Sequence, residues 1–272
     1  MTDLRLALLQ CPSLPLDVAV NLARLEQFAA RAAAAGAHLL VTPEMFLTGY
    51  NIGSHPARQL AEPPDGPRAQ AVAAIARQHQ IAIAFGHPEH DKDGGETGKV
   101  FNAAQCIDAQ GHPLARYRKT QLFGDLDRGM FSPGPGGEPL FDFHGWQLGL
   151  LICYDVEFPE NTRRLALLGA DLIVVPTANM EGFDFVAQHL VPTRAYENQV
   201  FVAYANFCGS EGDLVYNGLS CVAAPTGAGL VQAGRGAELL LADVTRAGLA
   251  AGRALNGHLA LCRATQQPLS KI

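Results

Sequence analysis

Leu148-Gly149-Leu150-Leu151-Ile152-Cys153-Tyr154-Asp155-Val156-Glu157-Phe158-Pro159-Glu160 is the stretch on which the reading of this chain turns. Its first five residues carry no polar side chain, the pattern of a buried strand. Polar and acidic residues follow, and Pro159 with Glu160 reads as the first turn of a helix. A cysteine at such a strand-to-helix corner stands at the rim of a sheet, with backbone N–H groups of the next turn aimed at the same place. That arrangement holds a thiolate and receives a negatively charged oxygen. A lone cysteine at a strand end is more often inert packing, so the weight falls on the residues that accompany Cys153 elsewhere.

Working outward, strands and helices alternate along the whole chain. Residues 4–9 form an apolar strand, and 17–35 show helical spacing (Val18, Leu22, Leu25, Phe28, Ala32) closed by Gly36. A strand at 38–42, a helix opened by Asp65-Gly66-Pro67 with Val72 and Ile75 on one face, and a strand at 81–85 follow. Residues 91–98 read as a polar turn. Strands at 100–107 and 114–118 form a hairpin around Gln110-Gly111, and 119–137 reads as a long loop. A second hairpin spans 141–152 and turns at Gly145. A helix at 159–168, a strand at 172–176, a helix at 184–198, a strand at 200–205 and short strands near Cys221 and Leu239 complete the pattern. Strands alternating with helices, mixed with hairpins, predict an α/β fold with mixed rather than purely parallel sheets. No linker or repeat divides the 272 residues, so a single domain over 1–272 is expected.

Composition excludes several classes. Net charge is −6 with both signs interspersed, which disfavours nucleic acid and anionic membranes as partners. No run of about 18 apolar residues is present, and the N-terminal residues lack the features of a secretory leader. The six cysteines (Cys11, Cys106, Cys153, Cys208, Cys221, Cys262) contain no Cys-x-x-Cys pair and predict free thiols in a cytoplasmic setting. Nine histidines lack ligand-type spacing, so no metal is asked for. A Gly-x-Ser-x-Gly elbow is missing around Ser220, and Gly227-Ala228-Gly229 lacks the third glycine of a dinucleotide fingerprint.

Two further residues share the local position of Cys153. Glu44 follows the strand ending at Thr42, and Lys119 follows the strand ending at Arg118. If the strands run in one sense, all three side chains gather at one sheet edge, where open α/β sheets bind ligands. Taken alone, Glu44 reads equally as a helix N-terminal acid, and Lys119 as one cation of the patch Arg116-Tyr117-Arg118-Lys119. Their matched placement favours a joint site.

The segments Leu39-Leu40-Val41-Thr42-Pro43-Glu44, Tyr117-Arg118-Lys119-Thr120-Gln121-Leu122-Phe123 and Leu151 to Glu160 resemble the three signature segments of the nitrilase, or carbon–nitrogen hydrolase, superfamily. Arg194-Ala195-Tyr196-Glu197-Asn198-Gln199 resembles that family's helix before a core strand. The resemblance runs from Leu4 past Asp243, is similar in length to the amidase branch, and implies a four-layer αββα sandwich and a homodimer or higher oligomer. It implies Glu44, Lys119 and Cys153 as catalytic residues and no cofactor.

The chemistry of these groups suits hydrolysis of a small carboxamide to carboxylate and ammonia. Cys153 would attack the carbonyl carbon, Glu44 would move the proton, and Lys119 with the Tyr154 N–H would hold the oxyanion. The family carries a second glutamate about eight residues past the lysine; here that place holds Asp127, one methylene shorter, with Asp125 nearby. Asp127 reads equally as a loop cap. Asn179 and Met180 follow the strand at 172–176 and would lie beside the sulfur. Tyr50, Phe123, Phe131, Tyr154 and Phe158 suggest an apolar rim or, equally, core. Nitrile or N-carbamoyl hydrolysis by the same residues, and a catalytically silent small-molecule-binding scaffold, are the competing readings.

Overall fold

The computed structural model describes residues 2–90, 98–137 and 139–265. All but the last residue of the turn expected at 91–98 lies outside these. The first half runs β1 (Leu4–Gln10), α1 (Val18–Ala34), β2 (Leu39–Val41), α2 (Ser54–Leu60), α3 (Pro67–His79), β3 (Ala82–His90), β4 (Val100–Ile107) and β5 (Pro113–Arg118). After α4 (Gly124–Met130), β6 (Leu140–Phe143) and β7 (Trp146–Leu150) form a hairpin. A 3₁₀ turn, Cys153–Glu157, leads into α5 (Pro159–Leu167) and β8 (Leu172–Thr177). A π-helical segment, Val186–Leu190, runs on into α6 (Val191–Asn198) and then β9 (Phe201–Asn206). The hairpin β10 (Cys208–Glu211) and β11 (Leu214–Asn217), strands β12 (Cys221–Ala223), β13 (Gly229–Gln232) and β14 (Glu238–Val244), and helices α7 (Arg246–Leu255) and α8 (His258–Thr265) follow.

Two six-stranded sheets result, ordered β14-β1-β2-β3-β4-β5 and β13-β12-β9-β8-β7-β6. In the first, β1, β2 and β3 are parallel, and two antiparallel steps return β5 to the direction of β2. In the second, β7, β8 and β9 are parallel. The period-two alternation of β1 sorts its side chains between two cores. Leu4, Leu6 and Leu8 pack with Leu148, Leu150 and Val174 of the second sheet. Ala7 and Leu9 join Leu25, Ala29 and Ala32 of α1 and Val72 and Ile75 of α3. Leu165, Val191 and Ala195 cover the other side of the second sheet from α5 and α6. The layers are therefore α, β, β, α, the sandwich expected.

Local signals explain most element ends. The Asp17 side chain accepts a hydrogen bond from Val20 N at 3.1 Å at the start of α1, and Gly36 beyond its end takes φ +77°. His144 and Gly145 take φ +53° and +77° between β6 and β7, a two-residue left-handed hairpin turn. Three expectations need correction. Residues 119–137 are not all loop, because α4 lies inside them. The strand read at 81–85 runs on to His90, its polar residues buried against β4 and β5. The helix read at 184–198 contains the π segment.

The expected single sheet edge is also replaced by two. Glu44 and Lys119 leave the carboxyl ends of strands in the first sheet, and Cys153 follows β7 in the second. The carboxyl ends of the two sheets meet across the sandwich, where Glu44 N donates to the Thr177 carbonyl at the end of β8, 3.1 Å away.

Candidate active site

Cys153 begins the 3₁₀ turn in a left-handed conformation, φ +45°, which costs a non-glycine residue about 1–2 kcal/mol. The surroundings impose it. Asp155, fully buried, accepts from Ile152 N (3.3 Å), from Gln121 N (2.9 Å) and from Thr120 Oγ1 (2.9 Å). One carboxylate thus ties the cysteine turn to the segment after Lys119. Cys153 is half-buried, and the Ala178 backbone amide lies within electrostatic reach of its sulfur.

Glu44 and Lys119 are both fully buried. Lys119 Nζ donates to Glu44 Oε1 at 2.8 Å and to Asp127 Oδ2 at 2.7 Å. Asn102, in β4, donates from Nδ2 to Glu44 Oε1 at 2.6 Å while its carbonyl accepts from Lys119 N at 2.8 Å. The second Glu44 oxygen, Oε2, has no hydrogen-bond partner among the described residues. A buried, unsatisfied carboxylate oxygen is costly in a packed interior and is a place for a ligand or water to donate.

Asp127 answers the question its short side chain raised. Carried on α4, it reaches Lys119 directly, accepts from Phe123 N at 2.8 Å, and accepts the Tyr50 hydroxyl at 2.8 Å on its other oxygen. It starts its helix and holds the ammonium at once. Asp125, by contrast, is exposed beside Arg128. Tyr50 is anchored in turn by Glu211, whose Oε1 accepts from Tyr50 N at 2.9 Å and Asn51 N at 3.1 Å.

Burial governs the charges. It pushes the Glu44 carboxyl above the ordinary glutamate range; Lys119 pulls the other way and Asp127 adds to the rise. For Lys119 burial opposes the charge, but the facing Glu44 and Asp127 carboxylates more than offset it and hold the ammonium well above its usual pKa. Burial and then the Glu44 charge push the Cys153 thiol well above its ordinary value, against the pull of Lys119 and the Ala178 amide. Burial thus disfavours the charged form of both the Cys153 thiol and the Glu44 carboxyl.

Tyr154, next to the sulfur, is half-buried, and its ring stands edge-on to Phe123 (5.4 Å) and Phe158 (5.0 Å), while Phe123 meets Phe183 at 5.6 Å. This aromatic chain links the segments after Lys119, Cys153 and β8. Of the other expected rim residues, Tyr50 and Phe131 are buried. Asn179 directly follows Ala178, and its side-chain amide nitrogen donates to the Phe183 carbonyl at 3.0 Å. Met180 is half-buried and bridges Tyr216 of β11. Sequence reasoning missed Asn102, Asp155 and Glu211. Asn102 leaves one trace, a polar residue within the apolar run of β4. Asp155 and Glu211 act through backbone amides and hydroxyls of other segments and leave none. A surface cleft of about 320 Å³ bounded by Tyr117, Gln121 and Arg164 has none of Glu44, Lys119 and Cys153 in its lining.

Comparison with known proteins identifies the family. The chain is 54% identical over 256 residues to "Hydrolase in pqqF 5'region" of Pseudomonas protegens, covering 94% of this chain and 88% of that one. It is 36% identical over 220 residues to an (R)-stereoselective amidase of a Pseudomonas species, covering 80% and 77%. A crystal structure of an amidase from Nesterenkonia sp. superposes with a TM-score of 0.83 at 38% identity, over 97% of this chain and 96% of that one. A variant of that amidase carries the acetamide moiety of fluoroacetamide covalently at its active-site cysteine (TM-score 0.79, 36% identity, 97% of each chain). With the family's sequence profile matching residues 5–254, this chain belongs to the carbon–nitrogen hydrolase family and is a hydrolase of carbon–nitrogen bonds.

Proposed function

We propose that the protein hydrolyses small carboxamides to a carboxylate and ammonia through a thioester on Cys153. Glu44 takes the thiol proton as sulfur bonds to the carbonyl carbon, and the carbonyl electron pair moves onto oxygen. Lys119 Nζ and the Tyr154 N–H, a first-turn donor without an intrahelical partner, hold that oxyanion. The tetrahedral centre collapses, the C–N bond breaks, and Glu44 returns its proton to the departing ammonia. Water then attacks the thioester with Glu44 again as base, giving the acid and the free thiol. Asp127 fixes the ammonium, and Tyr154, Asn179 and Met180 border the acyl group.

The observation that carries this reading is the buried chain Asn102–Glu44–Lys119–Asp127 beside a sulfur held at φ +45°. This arrangement supports the assignment of a base, a fixed cation and a nucleophile, and the raised Glu44 pKa suits an acid that must also act as a base. The acetamide adduct on the Nesterenkonia amidase cysteine supports the covalent route. The test is ammonia release from propionamide, with hydroxylamine added to trap the acyl group. Hydroxamate should form in proportion to turnover and vanish in Cys153→Ala. Release of ammonia by Cys153→Ala at the wild-type rate would overturn the proposal. A matched nitrile and an N-carbamoyl amine should turn over more slowly than the amide.

A further inference from the structure

Glu157 closes the turn that Cys153 opens. With three residues per turn it lies on the same face as Tyr154, whose ring forms part of the aromatic chain at the site. It is half-buried. Its backbone carbonyl accepts from Arg194 Nη2 at 2.6 Å, while Arg194 Nε donates to the Val156 carbonyl at 3.0 Å and Nη1 to Glu197 Oε1 at 3.0 Å. Among the described residues no side chain hydrogen bonds or ion-pairs with the Glu157 carboxylate. Lys119 and, after it, Arg194 lie within its electrostatic reach, though neither pairs with it directly. So does the buried Tyr204 hydroxyl, whose pKa is raised by burial first, then by the Cys153 sulfur and the Glu157 carboxylate together.

The charges do not balance. Lys119 is one cation facing Glu44 and Asp127 at hydrogen-bond distance, so its charge is already answered twice. Glu157 adds a further negative charge where water is partly excluded. An unpaired, half-buried carboxylate is costly unless something cationic completes it. A like-charged group on a substrate would be repelled there, and an ammonium group attracted.

We propose that Glu157 is a specificity-determining residue that seats an ammonium group on the acyl part of the substrate, so that amino-carboxamides are preferred to neutral amides and to amides bearing a carboxylate. This rests on the amide-hydrolase reading above. Along a 3₁₀ axis the rise of about 2.0 Å per residue separates the Cys153 and Glu157 Cα atoms by about 8 Å, a span for a short aliphatic chain between carbonyl and amine.

The test uses butyramide, 4-aminobutyramide and 4-carboxybutyramide on the purified full chain, with ammonia as the readout. Wild type should turn over the amino compound with a kcat/KM at least about tenfold above butyramide, and the carboxy compound at least about tenfold below it, each factor corresponding to about 1.4 kcal/mol. In Glu157→Gln the ratio of amino to neutral amide should fall toward one, and Glu157→Asp should restore part of it. A purely structural role would lower all three amides together and leave the ratios intact. If Glu157→Gln does not fold, wild type still decides: propylammonium should inhibit butyramide turnover competitively and more strongly than butyrate. Equal kcat/KM for the three amides, or a ratio unchanged in Glu157→Gln, would overturn the inference while leaving the hydrolase reading standing. Turnover of none of them would overturn both.

Discussion

Glu44 has no exposed surface, and its titration is set by burial, by the ammonium 2.8 Å away and by the Asn102 amide at 2.6 Å. As the base proposed above it would work ionised, and burial holds its folded pKa above the ordinary 4.5. Activity toward a neutral amide should therefore fall as pH drops through a midpoint above 4.5, not at it. Asn102 donates to the ionised form and lowers that midpoint. Replacing Asn102 with Leu should move the acid limb of kcat/KM to higher pH, read from a pH–rate profile. A limb that stays in place while the rate drops would assign Asn102 to packing alone. Glu44→Gln should reduce kcat by about 10²–10⁴, the usual worth of a positioned acid–base group. At this scale the reading of Glu44, Lys119 and Cys153 as one group came from strand ends and motif likeness; the structure sets Lys119 against Glu44 at 2.8 Å, with the Cys153 sulfur within their electrostatic reach. Asn102 and Asp155 stayed hidden because their effect passes through a neighbour, and a single polar residue does not announce which neighbour that will be.

Short elements did most of the positioning, and they were the least readable. The seven residues of α4 include two glycines and only Leu126 and Met130 at helical spacing, too little to declare a period. Yet α4 brings Asp127 under Lys119. Beyond Phe85, Gly86 and Pro88 weaken the strand pattern of β3. It continues because Gln105 meets His87 at 2.9 Å and Arg118 meets Glu89 at 2.5 Å, partners that only the assembled sheet supplies. Gly86 has its own role there. A Cβ at this position would press on the Met45 backbone nitrogen and sit 3.2 Å from the Glu44 carbonyl carbon. Gly86→Ala should cost about 1–3 kcal/mol of stability, as overpacking does. Because it displaces the backbone that carries Glu44, kcat should fall by more than the loss of folded protein accounts for. A urea midpoint and a kcat measured on the same preparation separate the two effects.

At the level of the molecule, the layer between the sheets couples the halves of the chain. Leu6 is fully buried there, with β1 packed against β9. Trp146, the single tryptophan, lies at the start of β7, its Nε1 donating to the Thr2 carbonyl at 2.9 Å and its ring under the Arg246 guanidinium at 3.8 Å. Leu6→Ala should destabilise by about 2–5 kcal/mol. Loss of Trp146 fluorescence and loss of far-ultraviolet circular dichroism should shift together to lower urea; two separate midpoints would mean that the sheets unfold apart. The mixed α/β class was readable because strand and helix periods alternate along the chain, while the four layers came from the family likeness. That the reacting groups would be divided between two sheets was not, since a motif gives a residue's distance along its strand and not which slab the strand joins. The bridge from Glu44 N to Thr177 O makes that division matter. Base and ammonium ride on one slab and the sulfur on the other, so the reaction doubles as a gauge of how the slabs are seated. Misalignment of about 1 Å can cost reactivity a hundredfold, so hydrostatic pressure or a methyl group wedged between the layers would silence turnover while every strand remained intact.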